Sequence, residues 1–308
     1  MGTGEIGVPA FRGLLETPGY EVVAVVTQPD KPVGRKQELH ASAIKRLAVE
    51  RGVPVLQPVK MRAPGAVAEI AALAADVIVV MAYGQILPKA VLEAPRLACL
   101  NLHASLLPRW RGAAPIQAAI EAGDCVSGVT VMYMAEGLDT GDILLMRETP
   151  ITDTDTGGSL HDRLGEVAAA ALAEALPLIV AGTAPRTPQD DARANYAAKL
   201  SRENGRIDWQ ASAAQIDLRI RAMNPWPAAH TFLPTPAGLR QLKVFAAGVE
   251  VAQGSPGEVL AADGSGILVA AKEGAVLLTE IQLEGKRRMS AEEFLRGHTI
   301  APGTRLAE

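Results

Sequence analysis

Cysteine is close to absent from this chain. Cys99 and Cys125 are the two among 308 residues, and their spacing fits neither a zinc ligand set nor a redox dithiol. A disulfide-stapled scaffold is thereby excluded, and both thiols are expected to be buried and reduced, as in a cytoplasm. Histidine is sparse too. The five residues are scattered, no two at ligand spacing, so no metal is expected. Long apolar runs are lacking: the longest alanine-rich stretch, Val167 to Val180, is broken by Glu174 and Pro177 and falls short of the ~18–20 residues that a membrane span needs. No membrane partner is expected. The amino terminus has no basic segment ahead of an apolar one and does not read as a signal peptide. Aromatic residues are few, 4% beside 48% hydrophobic residues, which fits a globular chain rich in Ala, Val and Leu. A positive charge excess is missing as well. Net charge is −4, with 15 basic and 20 acidic residues over 1–182, and 15 and 14 over 183–308. That asymmetry is too mild to point by itself to nucleic acid.

What is present is an ordered alternation. A chain of 308 residues exceeds the usual single domain, so two domains are the default. In the first 180 residues apolar strand runs (Glu21 to Thr27, Val53 to Leu56, Asp76 to Ala82, Val129 to Met134, Ile143 to Glu148) alternate with helical patterns. The helices are expected over Ala41 to Arg51, Ala66 to Ala74, Pro115 to Ala122 and Ser159 to Val180. That order predicts an α/β, doubly wound, Rossmann-like domain. Residues 183–206 are polar, contain two prolines and lack apolar periodicity, so they read as a linker. A helix from Trp209 to Met223, capped by Ser212, precedes short strands split by Gly, Pro and Asp-Gly turns: Gln241–Phe245, Gly257–Leu260, Gly266–Ala271 and Ala275–Ile281. This is the pattern of a small, OB-like β-barrel.

Two motifs carry chemistry. Asn101-Leu102-His103-Ala104-Ser105-Leu106-Leu107-Pro108 follows the apolar Leu97 to Leu100. It places an amide, an imidazole and a hydroxyl where a strand is expected to hand over to a loop, the carboxyl edge at which open α/β sheets carry their sites. Gly137-Leu138-Asp139-Thr140-Gly141-Asp142 supplies a carboxylate after the next strand. An amide donor, a base with a pKa near neutrality and a carboxylate to orient it suit acyl-type transfer. The bland alternatives are an ordinary core histidine and a plain Asp-Gly-type turn.

These motifs resemble the folate-dependent formyltransferases. The longer run Ser105 to Gln117, together with Thr27 to Arg35 and Asn224-Pro-Trp-Pro227, narrows the resemblance to the members that formylate methionyl initiator tRNA. It covers the chain from Gly2 to about Gly303. The resemblance implies 10-formyltetrahydrofolate as cosubstrate, no metal, initiator Met-tRNA as partner, a monomer and a cytoplasmic location. It implies Asn101, His103 and Asp139 as catalytic residues and Ser105, Leu106, Leu107 and Pro108 as the folate-contacting segment, with Met81 to Pro88 as an apolar wall for the pterin. It implies that the basic, proline- and glycine-broken stretch Gln28 to Arg35 enters the acceptor end of tRNA, with Arg35 in contact, and that Lys286-Arg287-Arg288 could track phosphates. The implied domains are a formyltransferase domain over 1–182, the linker over 183–206 and a tRNA-binding β-barrel over 207–308. Family members place an apolar strand ahead of the Gly-Thr turn, so a first strand looks missing, and the native chain is expected to begin four to eight residues earlier.

Two other readings compete. A sugar-amine N-formyltransferase would share the triad but lack the Gln-Pro-Asp-Lys-Pro-Val-Gly-Arg loop seen here. Gly2-Thr-Gly-Glu-Ile-Gly7 matches the G-x-G-x-x-G fingerprint of NAD-dependent oxidoreductases. That reading leaves Asn101, His103, Asp139 and the barrel without a purpose.

Overall fold

The structure is a computed structural model that describes residues 1–33 and 38–307. The chain divides into two compact units. The first comprises Met1–Pro115, Val126–Pro150 and His161–Ala197, and the second Ile116–Cys125, Ile151–Leu160 and Ala198–Glu308.

The first unit opens with helix α1 (Val8–Glu16) after a single 3-10 turn, and continues with β1 (Val25–Val26), β2 (Lys31–Val33), β3 (Glu38–His40) and α2 (Ala43–Glu50). Then come β4 (Val55–Leu56), α3 (Pro64–Ala72), β5 (Val77–Val80), α4 (Lys89–Leu92), β6 (Ala98–His103) and β7 (Arg111–Gly112). Helix α5 (Pro115–Glu121), which past its first residue belongs to the second unit, leads to the hairpin β8 (Val126–Tyr133) and β9 (Ile143–Pro150), long helix α6 (Gly157–Ala181), whose first turn also belongs to the second unit, and short β10 (Tyr196–Ala197). β1 and β4 pair in parallel, as do β5 and β6, while β8 runs antiparallel to β6 and β9 antiparallel to β8. The sheet is therefore mixed, parallel with an antiparallel edge, an arrangement common in doubly wound folds.

Only Val25 and Val26 of the expected Glu21–Thr27 strand form a ladder, because β4 offers them two partners. On their other side, where a first strand looked missing, Met1 and Gly2 cross one end. The Gly2 N–H donates to the Val26 carbonyl at 2.9 Å, and the Met81 N–H donates to the Met1 carbonyl at 3.0 Å. Two apolar clusters flank this region. Ile44, Leu47 and Ala48 of α2 pack with Phe11 and Val25. Ile70, Ile78, Val80, Tyr83 and Val91 pack with Cys99, whose thiol burial pushes up to about 12. Cys125, expected to be buried, is exposed; it lies in the turn between α5 and β8.

Helix α6 also corrects an expectation. Over Gly157–Ala181 it is long and apolar enough, by length and composition, to cross a membrane; Glu174 and Pro177 do not break it. Leu164, Ala168, Ala171 and Ala175 recur at helical spacing and are fully buried, so one stripe of α6 is a core face. Gly165 allows close approach there, since a Cβ would lie 3.1 Å from the Ile6 carbonyl oxygen.

The second unit contains α7 (Ala213–Met223), β11 (Ala229–Thr235), β12 (Gly238–Glu250), β13 (Val259–Asp263), β14 (Gly266–Ala270), β15 (Ala275–Leu283), β16 (Met289–Ser290) and α8 (Ala291–Leu295). Ser212 caps α7 in a capping box with Gln215, which satisfies two N–H groups that the helix end would otherwise leave orphaned. The strands form an antiparallel sheet in the order β11-β12-β15-β14-β13, with β16 on β15. Bulges in the β12–β15 pairing curl it, as bulges do. The carboxyl-terminal segment spans its two edges: Phe232 and Ala307 exchange N–H···O bonds of 3.0 and 2.9 Å, and the Val259 N–H donates to the Thr304 carbonyl at 2.8 Å. The sheet thus becomes barrel-like with no long free edge.

Trp209, expected in the helix, lies ahead of it, fully buried, and its indole N–H donates to Thr231 Oγ1 at 3.2 Å. Replacing it by alanine empties the largest fully buried side chain of the unit. The Trp209→Ala variant should lose about 3–5 kcal/mol, read as a lower denaturant midpoint for the β-sheet circular dichroism signal; an unchanged midpoint contradicts this packing.

Candidate active site

β6 runs through His103, beyond the Leu97–Leu100 stretch read as the strand end. Asn101 and His103 are therefore strand residues two apart, which puts them on one face of the sheet. They pair in register with Met132 and Thr130 of β8. Because β8 is antiparallel, its carboxyl end lies beside Leu100 rather than at the carboxyl end of β6. The β8–β9 connection must double back to reach His103, and Asp139 sits at that reversal with φ +52. Asp tolerates this left-handed conformation better than most residues.

The three side chains meet. Asn101 Nδ2 donates to Asp139 Oδ1 at 3.3 Å, and the Gly112 N–H donates to Asp139 Oδ2 at 2.9 Å. His103 Nδ1 lies 3.7 Å from Asp139 Oδ1, with the two side chains 6% and 12% exposed. The other ring nitrogen, Nε2, is 2.9 Å from the Trp110 carbonyl. A carbonyl only accepts, so Nε2 carries the proton and the lone pair of neutral His103 is on Nδ1, facing the carboxylate. A proton taken at Nδ1 is stabilised by the Asp139 charge. Asn101 has two amide hydrogens; one is held by Asp139, which fixes the plane of the amide and leaves the second free to meet a negative oxygen.

Glycine is required at two positions around this centre. Gly112 has φ +111, and a Cβ there would lie 2.5 Å from the Ala197 carbonyl oxygen. At Gly141 a Cβ would lie 1.8 Å from the Tyr133 carbonyl oxygen, so the doubled-back connection has room only for hydrogen.

Of the expected folate segment, Ser105 and Leu107 are buried, and Leu106 and Pro108 are half-buried. The Ser105 hydroxyl donates to the Arg109 carbonyl at 2.7 Å, and Leu107 packs with Met132 and Ile143. Their side chains shape the turn. In Met81 to Pro88, Tyr83 and Leu87 are buried while Ile86 is 88% exposed, an apolar side chain with nothing over it. Arg35 lies outside the described residues. Earlier in the same motif, Asp30 is held by Lys45 Nζ at 2.6 Å and Gln57 Nε2 at 2.9 Å. Those donors hold its carboxyl below the usual range. In the second unit Arg287 pairs with Glu293, and Arg288 pairs with Glu280 and stacks on Phe245. Among the described residues no group of three or more His, Cys, Asp or Glu is placed to hold a metal.

Sequence reasoning missed Thr130, Trp110, Gln189 and Asn195. The Asn195 side chain accepts the Trp110 N–H, although 183–206 read as a linker. Only the alternation of β8 hinted at Thr130, which pairs in register with His103.

The sequence matches the family described as formyl transferase over residues 10–176 and its C-terminal domain over residues 199–299. The chain belongs to the formyl transferase family. A methionyl-tRNA formyltransferase of Pseudomonas paraeruginosa (strain PA7) is 52% identical over 97% of this chain and 97% of its own length. One from Pseudomonas fluorescens (strain Pf-5) is 50% identical over 100% of this chain and 95% of its own. Among solved structures, WlaRD, a sugar 3N-formyl transferase in the presence of dTDP and 5-N-formyl-THF, superposes with a TM-score of 0.65 at 16% identity, covering 93% of this chain and 97% of that one. At that identity the likeness concerns the fold.

Buried Thr130 ties this formyltransferase site together: its hydroxyl donates to the Ser105 carbonyl at 2.6 Å and accepts the Leu107 N–H at 3.0 Å. Thr130→Val keeps the shape and removes both bonds. It should cost about 1–3 kcal/mol in thermal or chemical denaturation; a variant as stable as the parent shows that the hydroxyl is dispensable.

Proposed function

We propose that this formyl transferase moves the formyl group of 10-formyltetrahydrofolate to the α-amino group of methionyl initiator tRNA, for translation initiation in the cytoplasm. What supports the reading most is the meeting of Asn101, His103 and Asp139 in a chain that is half identical, end to end, to methionyl-tRNA formyltransferases.

The acceptor amine has a reference pKa of about 7.7–8.0, so part of it is neutral near pH 7. Its nitrogen attacks the formyl carbon, and the carbonyl oxygen gains negative charge as the tetrahedral intermediate forms. The free N–H of Asn101 meets that oxygen. His103 Nδ1 takes a proton from the attacking nitrogen and returns one to the departing folate nitrogen, so the C–N bond to folate breaks without expelling an anion. Asp139 stabilises the charged imidazole between these steps. Leu106, Pro108 and Ile86 supply apolar surface for the pterin and its linker. Residues 1–182 carry the chemistry, and 207–308, with Lys286 to Arg288, bear on the tRNA. The chain acts as a monomer.

The direct test is incubation with 10-formyltetrahydrofolate and charged initiator Met-tRNA, followed by measurement of formyl-methionine; its absence, or formylation of a nucleotide-linked sugar amine instead, refutes the reading. His103→Ala and Asp139→Ala should each lower turnover by roughly 10²–10⁴-fold while the proteins remain folded. Near-normal turnover in either one removes that residue from the mechanism.

Arg35→Ala tests the loop. It should raise KM for Met-tRNA and leave KM for the folate within about twofold, because a phosphate contact contributes binding and no chemistry. A rise confined to the folate KM contradicts this assignment.

A further inference from the structure

Nothing in the composition of residues 183–197 marks them as functional, yet they are fastened to the first unit at both ends. Thr187 and Ile143, at the start of β9, exchange two N–H···O bonds of 2.8 and 3.0 Å. β10 pairs in parallel with β7, Tyr196 with Arg111 and Ala197 with Gly112. Between these ties the side-chain amide of Gln189 is fully used. Its Nε2 donates to the carbonyl oxygens of Asp139 and Gly141, each at 2.8 Å. Its Oε1 accepts from Nε and Nη2 of Arg111 at 3.1 and 2.8 Å. A primary amide has two hydrogens and two lone pairs, and all four are engaged.

The two carbonyls that Gln189 grips flank Thr140 in the doubled-back connection. One of them belongs to Asp139 itself, which sits at positive φ. Apolar packing does not hold this connection, since Leu138 is 55% exposed. The Arg111 that Gln189 receives from is the neighbour of Gly112, whose N–H binds the Asp139 carboxylate. Gln189 thus braces the backbone of Asp139 against the same two-residue strand that grips its side chain.

We infer that Gln189 is a positioning residue for formyl transfer: it sets where the Asp139 carboxylate stands relative to Asn101 and His103, without touching the reacting atoms. The inference rests on the role given to Asp139 above. The connection that carries Asp139 reverses direction with glycines at 137 and 141, so the carbonyl bonds are what resist its displacement, and a shift of about 1 Å at a reacting centre can cost on the order of 100-fold in rate.

Two full-length variants test this. Gln189→Ala removes the whole amide. Gln189→Glu keeps oxygens for Arg111 and has no N–H to give, so it isolates the donor half and keeps the falsifier available if the alanine variant folds poorly. Each is assayed with 10-formyltetrahydrofolate and Met-tRNA, and in each the amide proton of Gly112 is followed by NMR, because its bond to the carboxylate reports where Asp139 is, whatever the activity. Both variants should lose kcat by about 10–100-fold with either KM within about twofold, and the Gly112 signal should move toward its position in Asp139→Ala. Unchanged kcat, a loss seen only in KM, a lowered melting temperature with normal kcat, or a Gly112 signal at its parent position each overturns the inference. Should Asp139→Ala itself turn over normally, the catalytic reading of Asp139 fails, and the Gly112 signal in Gln189→Ala still decides whether Gln189 places that residue.

Discussion

A carboxylate that is nearly shut away from water has to be met by hydrogen-bond donors, and this requirement at Asp139 organises the first unit. An unmet buried charge costs several kcal/mol. Here one oxygen takes the Asn101 amide, the other takes the Gly112 N–H, and the His103 ring stands alongside. Each donor comes from a different part of the chain. Asn101 must be on β6, two residues from His103. Gly112 must approach without a side chain. The β8–β9 connection must reverse so sharply that Gly141 has no room for a Cβ. The same arrangement that satisfies the carboxylate also aims an amide and a proton acceptor at one point, so stability and reactivity share a set of bonds.

The two units answer the problem of sheet edges differently. In the first, α2 packs on the parallel pair β1–β4, and the apolar stripe of α6 lets a very hydrophobic helix serve as core. In the second, bulges curl an antiparallel sheet, and the segment ending at Ala307 bridges β11 to the stretch around Val259. An open-edged sheet leaves crevices where side chains converge, which suits chemistry on small groups. A closed, rigid barrel offers an outer surface, which suits contact with an extended partner. Arg287 and Arg288 are held by exposed ion pairs, each worth about 0–1 kcal/mol.

Much of the local structure could be read from residues alone, because its causes are local. Ser212 and Gln215 announce the start of α7 through side-chain bonds to their own helix end. The spacing of Leu164, Ala168, Ala171 and Ala175 marks the buried face of α6. The motifs that resemble formyl transferases are contiguous runs, so they too were visible before any fold was. Where the reading slipped, the cause was non-local. Val25 and Val26 form a ladder only as far as a distant two-residue partner allows. Cys125 is exposed because it lies in the turn between two elements, a position that composition alone does not reveal.

What the sequence determined by itself was therefore the family, the long periodic elements such as α6 and β8, and the three candidate side chains Asn101, His103 and Asp139, all properties of short stretches with their own periodicity or chemistry. Only the tertiary structure decided how those side chains meet: that β8 runs antiparallel to β6, that His103 gives its Nε2 proton to Trp110 and turns Nδ1 to Asp139, and that Thr130, Asn195 and Gln189 brace the centre. The physical reason is that a hydrogen bond between Gln189 and Asp139 depends on direction and distance across 50 residues of chain, and neither direction nor distance exists until the sheet has brought the two segments together.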